Sequence, residues 1–310
     1  MTALICGSIA FDTVMVFNGR FREQILADRI HMLNVSFLVP SLRRNFGGCA
    51  GNIAYNLGLL GGRGAPMATV GHDFEPYRRW LRECGVNLEF VRELADTYTA
   101  QAFITTDLDD NQITAFHPGA MSSAHLNVVP TDAGITLGVV APDGREGMVS
   151  HATQFAEAGI PWLFDPGQGL PMFDGAELRD FIGKATWVAV NDYEGQMLQE
   201  RTGWGADEIA SRVRAYVVTR GAEGSVIHAD GKTYVIPTAT PERVADPTGC
   251  GDAYRAGLIF GLMNELDWDT TGRIASLMGS IKIAQSGTQS HRFDMNEFKT
   301  RYRAAFGRDL

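Results

Sequence analysis

The chain has 310 residues, more than one hydrophobic core usually fills, with 45% apolar and 20% charged residues, so a packed globule of one large domain with an appendage, or of two modest domains, is expected. A formal net charge of −9 argues against nucleic acid or an anionic membrane surface as partner, because both reward a basic surface, yet leaves room for a small anion held by backbone amides. Cys6, Cys49, Cys84 and Cys250 form no CxxC or Cys/His spacing, no signal-like segment opens the chain, and no apolar run approaches ~18 residues; the expectation is a cytoplasmic protein with reduced thiols and no membrane span.

In chain order, "ALICGS" reads as a first strand, and "TVMVF" and "HMLNVSFLV", within residues 13–46, read as further strands separated by turns. "RRNFGGCAGNIAYNLGLLGG" is a glycine-rich turn opening a helix, and "APMATVG" (65–71) is again a strand. Within 86–117, "AQAFITT" and "QITAF" flank "TTDLDDNQIT", a hairpin whose tip carries Asp107, Asp109 and Asp110. A calcium loop is excluded there, since Gln112 and Pro118 stand where an EF-hand needs glycine and glutamate.

From about residue 135 the pattern is strand then helix, repeated: "GITLGVV" (134–140), "IPWLF" (160–164), "TWVAV" (186–190) and "AYVVT" (215–219) each precede a helix-compatible stretch. That alternation is the signature of βα units in a parallel sheet covered on both faces. The expected organisation is an α/β core over 1–12, 40–85 and 118–310, and a discontinuous β-sheet lid over 13–39 and 86–117. Phe17, Phe21, Phe37, Phe103 and Phe116 give the lid more aromatic surface than a solvated flap needs, enough to close over a ligand or meet a second subunit.

Several stretches carry chemistry. In "DPTGCGDAYRAGLIFG", glycines 249 and 251 precede a helix-like run that begins near Asp252. Free N–H groups and a partial positive charge at such a helix start let an anion approach the backbone. Asp252 beside that hole suits a base that takes the proton of an attacking hydroxyl while the amides stabilise a transferring phosphoryl group; the alternative is an acid that only caps the helix. Gly47, Gly48 and Gly51 again allow close backbone approach, and Asn52 offers donors and acceptors for ribose-type hydroxyls; a ligand-free turn reads the same way. Ser8 and Asp12 follow the first strand, where open α/β sheets bind ligands, and a carboxylate accepts two hydrogen bonds from a vicinal diol; an aspartate that only forms a turn is the alternative. Asn191 and Glu194, one helical turn apart, could order metal-bound water around phosphates, and Thr219 and Gly221 could meet phosphate oxygens; a helix cap and a hairpin turn are their alternatives. The chain has no GxxxxGK[ST] loop and no HxxxH pair, so neither a P-loop nor a zinc hydrolase is indicated.

Taken together and in order, these segments resemble the ribokinase-like (PfkB) family of carbohydrate and nucleoside kinases. Its GG…N motif matches Gly47, Gly48 and Asn52; its N-x-x-E matches Asn191 and Glu194; its T-x-G-x-x-G matches Thr219, Gly221 and Gly224; its D-x-x-G-x-G-D matches Asp246, Gly249, Gly251 and Asp252. "GSIAFDTVMVFNGRFREQIL", "TAFHPGAM", "VNDYE" and "SGTQ" are similar to the bacterial adenosine kinases of that family.

The resemblance implies a three-layer ribokinase-like core with a small β lid that also serves as dimer clasp. The implied activity is ATP-dependent phosphorylation of a ribonucleoside 5′-hydroxyl, adenosine foremost, with other nucleosides or a sugar as alternative acceptors. By the same resemblance Asp252 is the catalytic base, Gly249, Cys250 and Gly251 line the anion hole, and Ser8, Asp12, Gly48 and Asn52 hold the ribose. Ser36, Phe37, Phe103, Phe116 and Gln168 surround the base. Asn191, Thr219, Arg220, Gly221 and Gly224 serve ATP, magnesium sits by water near Asn191 and Glu194, and a monovalent cation such as potassium is expected near Asp246, Thr248 and Gly287. The chain departs from the adenosine kinases at "DPGQGL": Gly169 follows Gln168 where a second glutamine can stand, and one amide fewer implies looser selectivity for the base.

Overall fold

The protein is described by a computed structural model covering residues 1–25, 34–109 and 111–310. The chain runs β1 (Thr2–Cys6), β2 (Ala10–Val16), α1 (Phe21–Gln24), β3 (Ser41–Gly47), α2 (Cys49–Leu59), β4 (Gly64–Gly71), α3 (Glu75–Glu83), β5 (Val91–Leu94), β6 (Ala100–Thr106) and β7 (Gln112–His117). It continues with β8 (Ile135–Val140), α4 (Arg145–Glu157), β9 (Trp162–Phe164), α5 (Gly175–Lys184), β10 (Trp187–Asn191), α6 (Asp192–Thr202), α7 (Ala206–Arg212) and β11 (Ala215–Thr219). β12 (Ser225–Ala229), β13 (Lys232–Ile236), α8 (Cys250–Met263), α9 (Trp268–Ile283) and α10 (Met295–Phe306) complete it.

Nine strands form one sheet in the order β13-β12-β11-β10-β9-β8-β1-β4-β5. Every neighbouring pair from β5 to β11 is parallel, and β12 and β13 add an antiparallel edge. The short apolar runs can sit there because both faces are covered. Along β1, Ala3 and Ile5 pack with α2, α3, α8 and α9, whereas Leu4 and Cys6 pack with α4, α5, α6 and α7. The period-2 alternation of a strand therefore feeds two cores, and this is the expected three-layer α/β arrangement. No helix among the described residues is long and apolar enough to cross a membrane.

A second sheet, ordered β3-β2-β6-β7, forms the lid. Its composition differs from the expected boundaries in three places: Ala10–Asp12, expected in the core, already pair within β2 of the lid, and two further segments change sides. Ser41–Gly47 pairs antiparallel with β2 and so belongs to the lid, although "SLRR" shows no apolar alternation; backbone pairing with β2 organises it. Val91–Leu94 pairs with β4 and so extends the core sheet, a four-residue edge strand too short to announce itself. In the strand expected within "HMLNVSFLV", residues 34–39 adopt no strand and 31–33 lie outside the described residues, as does Asp110. The β6–β7 tip is held by Asp107, whose carboxylate accepts from the amides of Phe21, Asp109 and Asn111, each at 2.9 Å. These bonds overcome the opposing effect of desolvation and bring its pKa down to about 2.

The helix that carries Asp252 is set against α9 through Gly257: a Cβ there would lie 2.5 Å from the Cα of Ala275. Gly257→Ala should therefore push α8 from α9 and lower the unfolding free energy by about 1–3 kcal/mol, as measured by urea titration.

Candidate active site

From β1 the chain reaches β4 on one side of the sheet, and from β8 it steps away on the other, so the topological switch lies between β1 and β8. Ligands of open α/β sheets bind at that crevice. The two strand ends are tied there: Ser8 N donates to Pro142 O at 2.9 Å and Ala141 N to Cys6 O at 2.8 Å. Ser8, Asp165, Asn191 and Thr219 all stand at or just beyond carboxyl ends of parallel strands.

Two helix N-termini converge on this edge. Gly48 caps α2 at φ +84°, and a Cβ on it would lie 2.5 Å from Ser8 O, so close approach and backbone conformation both demand glycine. Cys49 N donates to Ser8 Oγ at 3.2 Å, which leaves the Ser8 hydroxyl hydrogen available. Gly249 caps α8 at φ +81°, and the first-turn amides of Gly251 and Asp252 have no intrahelical carbonyl before them. The Cys250 amide, expected in the anion hole, instead closes the turn on Pro247 O at 3.1 Å.

Between these helices Asn52 Nδ2 donates to Asp252 Oδ2 at 2.8 Å. Burial pushes the Asp252 pKa up to about 7; the Asn52 hydrogen bond works the other way, the Asp165 charge adds to the rise and Arg255 opposes it. Asn52 is itself oriented, because Gln289 Nε2 donates to its Oδ1 at 2.9 Å while Trp80 Nε1 donates to Gln289 Oε1 at 2.9 Å. Asp12 leans against the second glycine turn, where a Cβ on Gly47 would lie 2.4 Å from its Oδ2. Burial, then the neighbouring Asp246 charge, raises the Asp12 pKa to about 6.

On the other flank, Asn191 and Glu194 form a reciprocal capping box: Asn191 Oδ1 accepts from Glu194 N at 2.7 Å and Glu194 Oε2 from Asn191 N at 2.8 Å. Burial raises the Glu194 pKa, with Arg255 opposing. Thr219 ends β11, exposed Arg220 follows, and Gly221 (φ +53°) and Gly224 (φ +87°) bound the turn into β12. Gly224 admits no side chain, since a Cβ would lie 2.1 Å from Ile236 O. Asp246 accepts from the amides of Thr248 and Gly287, both at 2.9 Å, which brings those three residues together. Among the described residues no cluster of three His, Cys, Asp or Glu could hold a metal alone.

Residues 13–294 match the pfkB family of carbohydrate kinases. The chain belongs to that family. It is 32% identical over 301 residues to a nucleoside kinase of Methanothermobacter thermautotrophicus, covering 96% of this chain and 97% of that one. A nucleoside kinase of Burkholderia thailandensis, solved in complex with inosine, is 54% identical and superposes with a TM-score of 0.90 over 99% of both chains. The same Burkholderia protein in complex with ADP and inosine gives 0.88 at 55% identity, over 99% of this chain and 97% of that one. This PfkB enzyme is thus a ribokinase-like phosphotransferase with an alcohol group as acceptor.

The kinase brings Ser8, Gly48, Asn52, Gly249, Gly251 and Asp252 to one place, and the aromatic expectation needs a correction. Strand register puts Phe116 in a row with Ala102, Asp12 and Asn45, and Phe103 in the next row with Thr13, Arg44 and Ala115. Adjacent rows point to opposite faces of a pleated sheet, so only Phe116 shares the face of Asp12. Phe37 packs against Phe17 and Phe21, both at 5.0 Å between ring centroids, while Ser36 and Gln168 are exposed.

Sequence reasoning missed Gln289 as the residue that orients Asn52, and it missed a buried ion pair, Arg255 with Asp165, at 3.1 Å. Arg255 was visible as a cation inside the apolar run "DAYRAGLIFG", three residues past Asp252. Arg255→Met would strand the Asp165 carboxylate in the core and should destabilise the enzyme by about 3–5 kcal/mol in urea unfolding.

Proposed function

We propose that this kinase transfers the γ-phosphoryl group of ATP to the 5′-hydroxyl of purine ribonucleosides, with adenosine and inosine both accepted. The observation that carries the reading is the Asp252 carboxylate, set in the first turn of α8 against the Asn52 amide, with its pKa raised to about 7. The 5′-oxygen attacks the γ-phosphorus, its proton passes to Asp252, and the bond from that phosphorus to the β–γ bridging oxygen breaks to release ADP. The amides of Gly249, Gly251 and Asp252 stabilise charge on the phosphoryl group in transit. Ser8, Gly48 and the second Nδ2 hydrogen of Asn52 position the ribose, and the Asp12 carboxylate takes the vicinal diol.

Thr219, Arg220, Gly221 and Gly224 hold the ATP phosphates on the other flank. Glu194 and Asn191 fit a magnesium ion borne by those phosphates and reached through water, since among the described residues no group of three metal-ligating side chains forms a cage there. When bound, the ion neutralises charge on the β- and γ-phosphates. The outer lid, with β7 exposed along its whole length and Phe103 40% exposed, serves as a clasp between two copies of the chain.

Support for a nucleoside rather than a simple sugar comes from the named relatives and from Phe116, the one lid aromatic of the expected set placed in the row of Asp12. Support for a range of bases comes from the Burkholderia enzyme's complex with inosine and from Gly169. A Cβ at Gly169 would meet only the flexible ends of Met148 and Met172, at 3.1 and 3.2 Å, so a side chain can be tested there.

ADP release measured across adenosine, inosine, guanosine, ribose and fructose tests the acceptor class; turnover with a sugar alone would sink it. Asp252→Asn should lower kcat by roughly 10²–10⁴ with nucleoside binding retained. Because the pKa of the base is raised, the carboxyl is protonated and ineffective below it, so kcat/KM should fall as pH drops through about 7. Gly169→Gln should raise the adenosine-to-inosine ratio of kcat/KM by about tenfold, since a hydrogen-bonding site discriminates where an open one does not.

A further inference from the structure

Lys282 lies in the last turn of α9, beside Leu277, Met278 and Ile281, and is fully buried. An ammonium taken out of water needs dedicated partners. Nζ donates to Asp246 O at 2.6 Å and to Gln285 O at 3.3 Å, and stands 4.0 Å from Asp246 Oδ1. Burial lowers the Lys282 pKa, and the Asp246 carboxylate opposes that fall.

The partners matter because of what they join. Ala245 N and Asp246 N both donate to Ile283 O, at 2.9 and 3.1 Å, and Gly287 N donates to Asp246 Oδ2 at 2.9 Å. Residues 245–248 and 283–287 therefore close on each other around the ammonium. The first segment runs straight into Gly249, the cap of α8, and so into Asp252. Two backbone carbonyls and a carboxylate are the oxygen set that replaces the hydration shell of a monovalent cation. That is the neighbourhood in which the family resemblance implies potassium. It does not fit potassium here, because a second cation would have to share the Asp246 oxygens with a covalently tethered one.

We propose that the Lys282 ammonium is a built-in substitute for a monovalent cation: it holds the 245–249 segment, and through it the α8 N-terminus and Asp252, so the kinase works without potassium. Lys282 touches no reacting atom; it is a positioning residue. The proposal rests on the kinase reading only for its turnover readout, and a thermal measurement stands apart from that.

The wild-type enzyme, assayed by ADP release in KCl, NaCl and choline chloride at equal ionic strength, should give the same kcat in all three, and its Tm should be the same in all three. Lys282→Ala should lower kcat by roughly tenfold or more with little change in nucleoside KM, as expected when a catalytic group is displaced slightly. K⁺ or NH₄⁺, but not choline, should then restore several-fold of the loss and raise the variant's Tm, because the vacated oxygens bind the ion in the folded state alone. Activation of the wild type by K⁺ beyond twofold over choline overturns the proposal, and so does a folded Lys282→Ala whose kcat and Tm ignore every monovalent cation. Should the variant fail to fold, the wild-type salt comparison decides by itself. Failure of the kinase reading would appear as no ADP release in any salt, with the Tm comparison still readable.

Discussion

The hydrogen bond from Asn52 to Asp252 is the contact on which the site depends. It joins the first turns of α2 and α8, whose residues are 200 positions apart in the chain, at the carboxyl edge of the sheet. An amide donor on one carboxylate oxygen restrains its rotation and favours its ionised form, while burial pushes the opposite way. The balance leaves the group near neutrality, where a base is both largely free and still willing to take a proton. Gln289, Trp80 and the glycine turn at 47–48 then have one common effect, which is to keep Asn52 in position.

Around that contact the fold supplies opposing charges in graded depth. Asp165 and Arg255 neutralise each other in the core behind Asp252, and Glu194 feels the same arginine from the far side. Lys282 and Asp246 form a second neutralised unit under the α8 cap. A chain of net negative charge can thus present helix N-termini to an anionic ligand without a basic surface, the buried cations being spent on its own carboxylates.

The lid solves a different problem. Its sheet has one side aimed at the crevice through Asp12 and Asn45 and another carrying Phe103, and its outer strand β7 is exposed throughout. The acidic hairpin tip, which in sequence could be taken for an ion-binding loop, is a turn device: Asp107 spends its oxygens on backbone amides.

Much of the core was legible in the sequence, because buried parallel strands read as short β-branched runs and glycine-rich turns precede helices at fixed spacing. "AYVVT" is β11 residue for residue, and the four ordered motifs were enough to indicate the family. Local pattern also allowed two readings for Asn191 and Glu194, and the structure realises the capping box, which does not compete with a role beside phosphates. Other features depended on tertiary structure. The polar run "SLRR" became a strand only by pairing with β2, and Phe103 was turned from Phe116 only by register, which is set between strands and not within one. Arg255 is the lone cation of α8 and Lys282 lies in the last turn of α9, and their partners, Asp165 and Asp246, lie 90 and 36 residues away by number. Periodicity determined the layers, and the glycine-rich motif with the family resemblance pointed to the acid; only long-range packing decided which charges meet beneath it, because desolvation and pairing are properties of the folded neighbourhood and not of the local sequence.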